Sequence, residues 1–195
     1  MATATTTPVP HRSQPTSANG IDVHALRQAI EAIRLDPDKG QTQWRIHSTW
    51  KGGTRSDHAV EGFRIGGQDV DRRFLIQIDE PCELTGTNQF ANPQEYLLAA
   101  MNACMMVGYA AVASVMGVKL SKLEVETTGD IDLRGFLGID EPVAPGYEQL
   151  HQTVHIAGDG TPEQFAKMHE VVHRTSPNYF NITRAIPVDS RMVVD

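Results

Sequence analysis

From residue 96 to residue 115 this chain carries no charged side chain, and that run constrains the fold more than any other feature. It opens with Asn92, a favoured helix N-cap, then Pro93 at the first helical position. Glu95 follows three residues after Asn92, the spacing of a capping box. Gly117 supplies a natural stop. A helix between these signals is roughly 35 Å long at about 1.5 Å per residue. Apolar residues occupy every face, so the helix needs cover on all sides. Its length is that of a membrane span. However, Asn102 and Ser114 interrupt the run, no basic flanks frame it and the rest of the chain is polar, which points to a central helix of a globular fold.

Cys104 lies within this helix, among Ala99, Ala100, Ala103, Gly108 and Ala111. Small residues at helical spacing let another element approach the thiol closely. Two readings are open. Free cysteine is among the most buried residue types, so Cys104 can be inert filler. Alternatively it is a sheltered nucleophile. It lies three turns past the helix start, too far for the helix N-terminus to activate it, so a reactive thiolate here needs a cation from another element.

Residues 22–35 form an amphipathic helix pattern with Leu26, Ile30 and Ile33 on one face, and residues 36–40 break it. Strand patterns cover residues 43–51, 58–65 and 74–79, with Gly52-Gly53 and Gly66-Gly67 as hairpin signals between them. After the central helix come strands near residues 123–136 and 148–157. A second capped helix starting at Thr161 ends before Pro177, and a final strand spans about residues 186–194. Antiparallel strands with separate helices make an α+β fold in the order (α)βββαββαβ.

At 195 residues the chain is long enough for one domain with a decorated end. Residues 1–20, rich in Thr, Pro, Ser and Ala, are expected to be a disordered tail. They hold no acidic residue, but His11 and Arg12 alone make a weak transit-peptide pattern. Residues 21–40 form the helix and linker, and residues 41–195 the main domain. A formal net charge of −7 argues against nucleic acid and anionic membrane as partners. Two distant cysteines suggest a reducing compartment, so a cytoplasmic protein is expected.

Three segments carry a resemblance. Residues 92–104 place a cysteine down a helix opened by an Asn-Pro cap. Residues 173–184, from His173 through Ser176-Pro177 to Thr183-Arg184, look like a second motif, and Trp50, Gly52-Gly53 and Arg55 like a third. Together they resemble the OsmC/Ohr family, the osmotically inducible protein C and organic hydroperoxide resistance proteins, from about residue 41 onward. Asp79-Glu80-Pro81 and residues 133–138 resemble an OsmC-like branch.

The resemblance implies an intertwined homodimer with curved antiparallel sheets, a long buried central helix and thiol sites at the interface. It implies a cofactor-free oxidoreductase, a peroxidase acting on small hydrophobic organic peroxides. Cys104 would be the peroxidatic thiol, Arg55 the guanidinium that activates it and Glu95 the carboxylate that orients Arg55. For Glu95 the capping box is an equal alternative. Gln94, Tyr96, Met101 and Ser176 are the candidate pocket residues, with no metal among the site's parts. Two positions depart from the pattern. Ser176 stands where the family has its resolving cysteine, and Gln94 where the hydroperoxide resistance proteins have a glutamate. An external thiol reductant such as a dihydrolipoyl group, or Cys82 as a second thiol, would then have to reset Cys104. The alternative reading is a non-catalytic homodimer that binds small hydrophobic ligands.

One further pattern belongs to another enzyme class. His169, Glu170 and His173 match the metalloprotease helix signature, in which histidines four apart share a zinc ion. A third ligand is lacking downstream, where only Asp189 and Asp195 offer carboxylates, so a zinc hydrolase is a remote alternative.

Overall fold

In a computed structural model of the chain, which describes residues 18–194, the charge-free run forms helix α2, Pro93–Met116. The capping box is reciprocal. Asn92 Oδ1 accepts from Glu95 N at 2.9 Å, and Glu95 Oε2 accepts from Asn92 N at 2.7 Å. Gly117 closes the helix at φ 73°, a left-handed conformation that glycine adopts without penalty.

Most of the expected N-terminal tail lies outside the described residues. Its end is ordered: Ala18–Gly20 forms a 3-10 turn. Asn19 there accepts from Leu120 N at 2.8 Å and donates to the Val118 carbonyl at 2.8 Å and Ser114 Oγ at 3.2 Å. Helix α1, Val23–Leu35, follows under an Asp22 cap. None of its residues is buried within the chain.

A four-stranded antiparallel sheet comes next. β1 (Thr42–Trp44) and β2 (His47–Trp50) pair end to end along one edge of β3 (Ser56–Ile65), and β4 (Gln68–Ile78) pairs along the other. The expected strand over residues 43–51 is thus two short strands. Trp44 faces Phe63 and His47 faces Ala59, a slip of one residue that breaks the ladder. The β3–β4 register shifts between Val60 and Gly62, where a Cβ on Gly62 would lie 2.8 Å from the Val70 carbonyl oxygen. The Trp44 and Phe63 rings stack at 4.7 Å, and Arg72 lies over both.

Beyond α2, β5 (Leu120–Gly129) and β6 (Leu150–Gly158) form a second antiparallel sheet. The strand expected to run to residue 136 stops at Gly129, and Leu133–Phe136 is instead a single helical turn, α3. α4, Pro162–Thr175, starts with a Thr161/Gln164 capping box, and a short α5, Pro177–Ile182, follows. The final strand expected over residues 186–194 is not formed. Ile186, Val188 and residues 192–194 are exposed, and no described strand lies alongside to complete a ladder. The architecture is α+β, as the sequence indicates.

The core lies where α2 meets α4 and the β5–β6 sheet. Met101, Met105, Tyr109 and Ala113, each four residues apart, form one stripe that packs on Met168 and Val172 of α4, with Leu123, Leu150, Val154 and Ile156 from the sheet against it. Asn102, which interrupts the apolar run, accepts from Thr127 Oγ1 at 2.6 Å and Gln152 Nε2 at 3.2 Å across the sheet. One chain nevertheless covers only part of α2. On the face opposite the buried stripe, Ala103 and Val107 are exposed, and so are Trp50, Phe74 and Leu75 on the four-stranded sheet.

Candidate functional site

Cys104 is half-buried on the flank of the core stripe. Ser176 Oγ donates to its Sγ at 3.4 Å. Ser176 itself is only 5% exposed. It sits at the joint between α4 and α5, where its amide ends α4 on the Val172 carbonyl and its hydroxyl caps α5 by accepting from Tyr179 N. A glycine makes the approach possible. A Cβ on Gly108, one turn past Cys104, would lie 3.3 Å from both methyls of Val172. The two sequence segments 92–104 and 173–184 therefore converge on one sulfur.

Arg55 and Glu95 lie elsewhere. Gly52 and Gly53, both at positive φ, turn the chain between β2 and β3, and Arg55 closes that turn through its amide and carbonyl. Its guanidinium lies 5.5 Å over the Phe90 ring, just before α2. Arg55 Nε is buried without a hydrogen-bond partner among the described residues. Glu95 forms the capping box, and among the described residues no hydrogen bond or ion pair joins Arg55 to Glu95 or to Cys104. Cys104 lies twelve residues past the helix cap, roughly 18 Å along the axis.

Of the expected pocket residues, Met101 and Ser176 lie beside the thiol's helix–helix contact. Gln94 is exposed on the first turn of α2, and the Tyr96 hydroxyl donates to the Gln77 carbonyl at 2.9 Å, tying α2 to β4. A cleft of about 610 Å³ runs from Leu97 and Met101 to Leu150, Tyr179 and Ile182. Of its lining only Met101 is among the residues expected from sequence; Leu97 shares α2 with it, and the opposite wall comes from β6, the loop before it and the α5 region. Cys82 is exposed in a 3-10 turn, Cys82–Leu84, and both cysteines are free thiols.

The histidine pair is bonded differently from a metal site. Tyr109, buried in the core and pushed up to about 12 by desolvation, shares a 2.5 Å hydrogen bond with His169 Nδ1. The His169 and His173 ring centres are 4.1 Å apart, and His173 packs on Tyr179 at 4.4 Å. Burial, then the charge of His169, hold His173 below its ordinary value. Among the described residues no three His, Cys, Asp or Glu side chains come together as a metal-ligand group.

A family model described as OsmC-like protein matches residues 86–191, more than half of the chain. The chain belongs to the OsmC-like family. An OsmC-like protein from Mycoplasma pneumoniae has the same fold, with a TM-score of 0.56 at 15% identity over 72% of this chain and 87% of that one. A Psychrobacter arcticus protein, named for an osmotic stress induced and detoxification response, aligns with a TM-score of 0.53 at 15% identity over 72% and 88%. No curated protein sequence matches the chain.

Proposed function

We propose that this OsmC-like protein is a homodimeric thiol peroxidase that reduces small organic hydroperoxides at Cys104. The observation that carries the reading is the Ser176 Oγ–Cys104 Sγ contact. It presents a half-buried sulfur to a polar donor, about one helical turn from Met101 on the wall of a mostly apolar cleft. The Cys104 thiolate attacks the outer oxygen of R–O–OH and the O–O bond breaks. The leaving alkoxide takes a proton to become an alcohol, and the sulfur is oxidised to sulfenic acid. Ser176 cannot form a disulfide. A dihydrolipoyl-type dithiol therefore attacks the sulfenic sulfur, releases water and leaves as a cyclic disulfide, regenerating the thiol. Cys82 stays outside this cycle because it is exposed in a separate loop.

Arg55 acts from a second copy of the chain. Among the described residues its Nε has no partner, its guanidinium stays near the start of α2, and Ala103 and Val107 beside Cys104 are exposed. Pairing two α2 helices along that face covers the apolar surface and brings each Arg55 to the other copy's thiol, where it favours the charged sulfur and orients the peroxide. Glu95, whose Oε2 takes the Asn92 amide, is the acceptor assigned to Arg55. Such a dimer is compatible with the expected cytoplasmic setting.

The test is consumption of cumene hydroperoxide with dihydrolipoamide as reductant. Turnover is expected for the native protein, none for Cys104→Ser and a large loss for Arg55→Ala. The apolar cleft also suits a simple ligand-binding protein. Saturable binding of a hydrophobic probe with no peroxide consumption would establish that reading instead.

A further inference from the structure

We infer that Asp79 is the positioning residue for Arg55, clamping onto one buried carboxylate both the turn that carries Arg55 and the loop that carries the Phe90 ring beneath its guanidinium. This rests on the Arg55 role proposed above.

Asp79 directly follows β4 and is fully shielded from solvent. A carboxylate removed from water is normally paired with a cation. Here the donors are hydroxyls and backbone amides. Oδ1 accepts from Thr54 Oγ1 at 2.6 Å and from Glu80 N at 2.9 Å. Oδ2 accepts from Thr87 N at 3.1 Å, Thr87 Oγ1 at 2.5 Å and Gln89 N at 3.2 Å. The Thr54 bond above all, then the Thr87 bond, holds the group charged, well below the usual carboxylate range.

The donors' positions in the chain are what give the knot a purpose. Thr54 immediately precedes Arg55, and Gln89 immediately precedes Phe90. Each half of the Arg55–Phe90 contact is thus one residue from a donor to Asp79. The Asp79 amide also reaches the Ala91 carbonyl, one residue before the Asn92 cap, which fixes the loop relative to α2.

The loop backbone is held in costly conformations, with Thr85 at φ 65° and Asn88 at φ 53°. At Gly86 a Cβ would lie 1.7 Å from the Glu80 carbonyl oxygen. A knot serving only the loop would use the loop's own donors. The bond to Thr54 leaves the loop and ends beside Arg55.

Thr54→Val removes that one bond and leaves four donors on Asp79. Thr54→Ser restores the hydroxyl. Both are compared with native protein and Arg55→Ala by two readouts: the rate of Cys104 sulfenate formation with cumene hydroperoxide, and the pH midpoint of Cys104 alkylation by iodoacetamide. Thr54→Val is expected to slow the peroxide reaction about 10- to 100-fold, as a misplaced catalytic group does. It should also move the alkylation midpoint in the same direction as Arg55→Ala and add nothing in the Arg55→Ala background, while Thr54→Ser behaves as native. Thr54→Ala, which also lacks the hydroxyl and adds no bulk, should shift the midpoint in the same way if Thr54→Val fails to fold. Native rates and midpoint in either folded variant, beside a clear Arg55→Ala effect, would overturn the inference and leave the Arg55 role standing. An Arg55→Ala protein as reactive as native would overturn both.

Discussion

Replacing Ser176 by cysteine should turn a one-thiol site into a two-thiol one, and the geometry sets how large the effect is. Ser176 Oγ lies 3.4 Å from Cys104 Sγ. A disulfide needs about 2.05 Å between sulfurs, so the two positions must close by roughly 1.3 Å. The bond would join positions 72 residues apart. In the chain-entropy description a loop of that length stabilises the folded state by about 4.4 kcal/mol, before any strain is subtracted. For a chain of this size that is roughly 9–18 °C in melting temperature. The assay uses Ser176→Cys in a Cys82→Ser background, treated with one equivalent of cumene hydroperoxide. Mass spectrometry should show loss of two hydrogens and both free thiols, and the oxidised protein should melt well above its dithiothreitol-reduced form. Both thiols retained, or Cys104 carried to the sulfinic acid, would refute the claim that position 176 abuts the reacting sulfur.

Further outcomes follow from other contacts. His173 is held below its ordinary value, so near pH 6.5 the unfolded chain binds its proton before the folded one does. Stability should be intact above that pH and fall on acidification through the window beneath it. His173→Phe should flatten this slope in melts at pH 7.5 and 5.5, and parallel slopes would contradict the assignment. Val107→Glu places a charge on the bare face of α2. It should weaken self-association by about 3 kcal/mol or more, at least roughly 100-fold in dissociation constant, by sedimentation equilibrium. An unchanged dimer would show that this face is not the interface. Cys82→Ser should leave peroxide turnover within twofold of native, since Cys82 is an exposed free thiol in a separate loop, and a larger loss would make it part of the cycle.

Much of the fold was legible because its punctuation is local. Asn92 with Glu95, Thr161 with Gln164, and Gly117 mark helix ends through bonds within four residues, and the sequence shows both partners. Gly52-Gly53 and Gly66-Gly67 mark the hairpins for the same reason. The misread segments depend on partners distant in sequence. The break between β1 and β2 comes from the register against β3. The pattern over residues 186–194 is strand-like, but no described strand pairs with it.

The site divides in the same way. Cys104 and Ser176 were found through their segments and do meet. Glu95 carried two equal readings, and only the cap is formed within one chain. The cleft walls from β6 and α5, and the five donors on Asp79, arise from tertiary placement. Asp79-Glu80-Pro81 resembles a branch motif in sequence, but the donors that surround its carboxylate come from Thr54, Glu80, Thr87 and Gln89 and are set by the fold.

The central claim is that Cys104 is the reacting atom for organic hydroperoxides. It is tested most directly by adding cumene hydroperoxide or hydrogen peroxide to the native protein in the presence of dimedone, then mapping the adduct by peptide mass spectrometry. The account expects a sulfenic acid adduct on Cys104, formed faster with the organic hydroperoxide and lost in Arg55→Ala. No adduct, or one confined to the exposed Cys82, would contradict it.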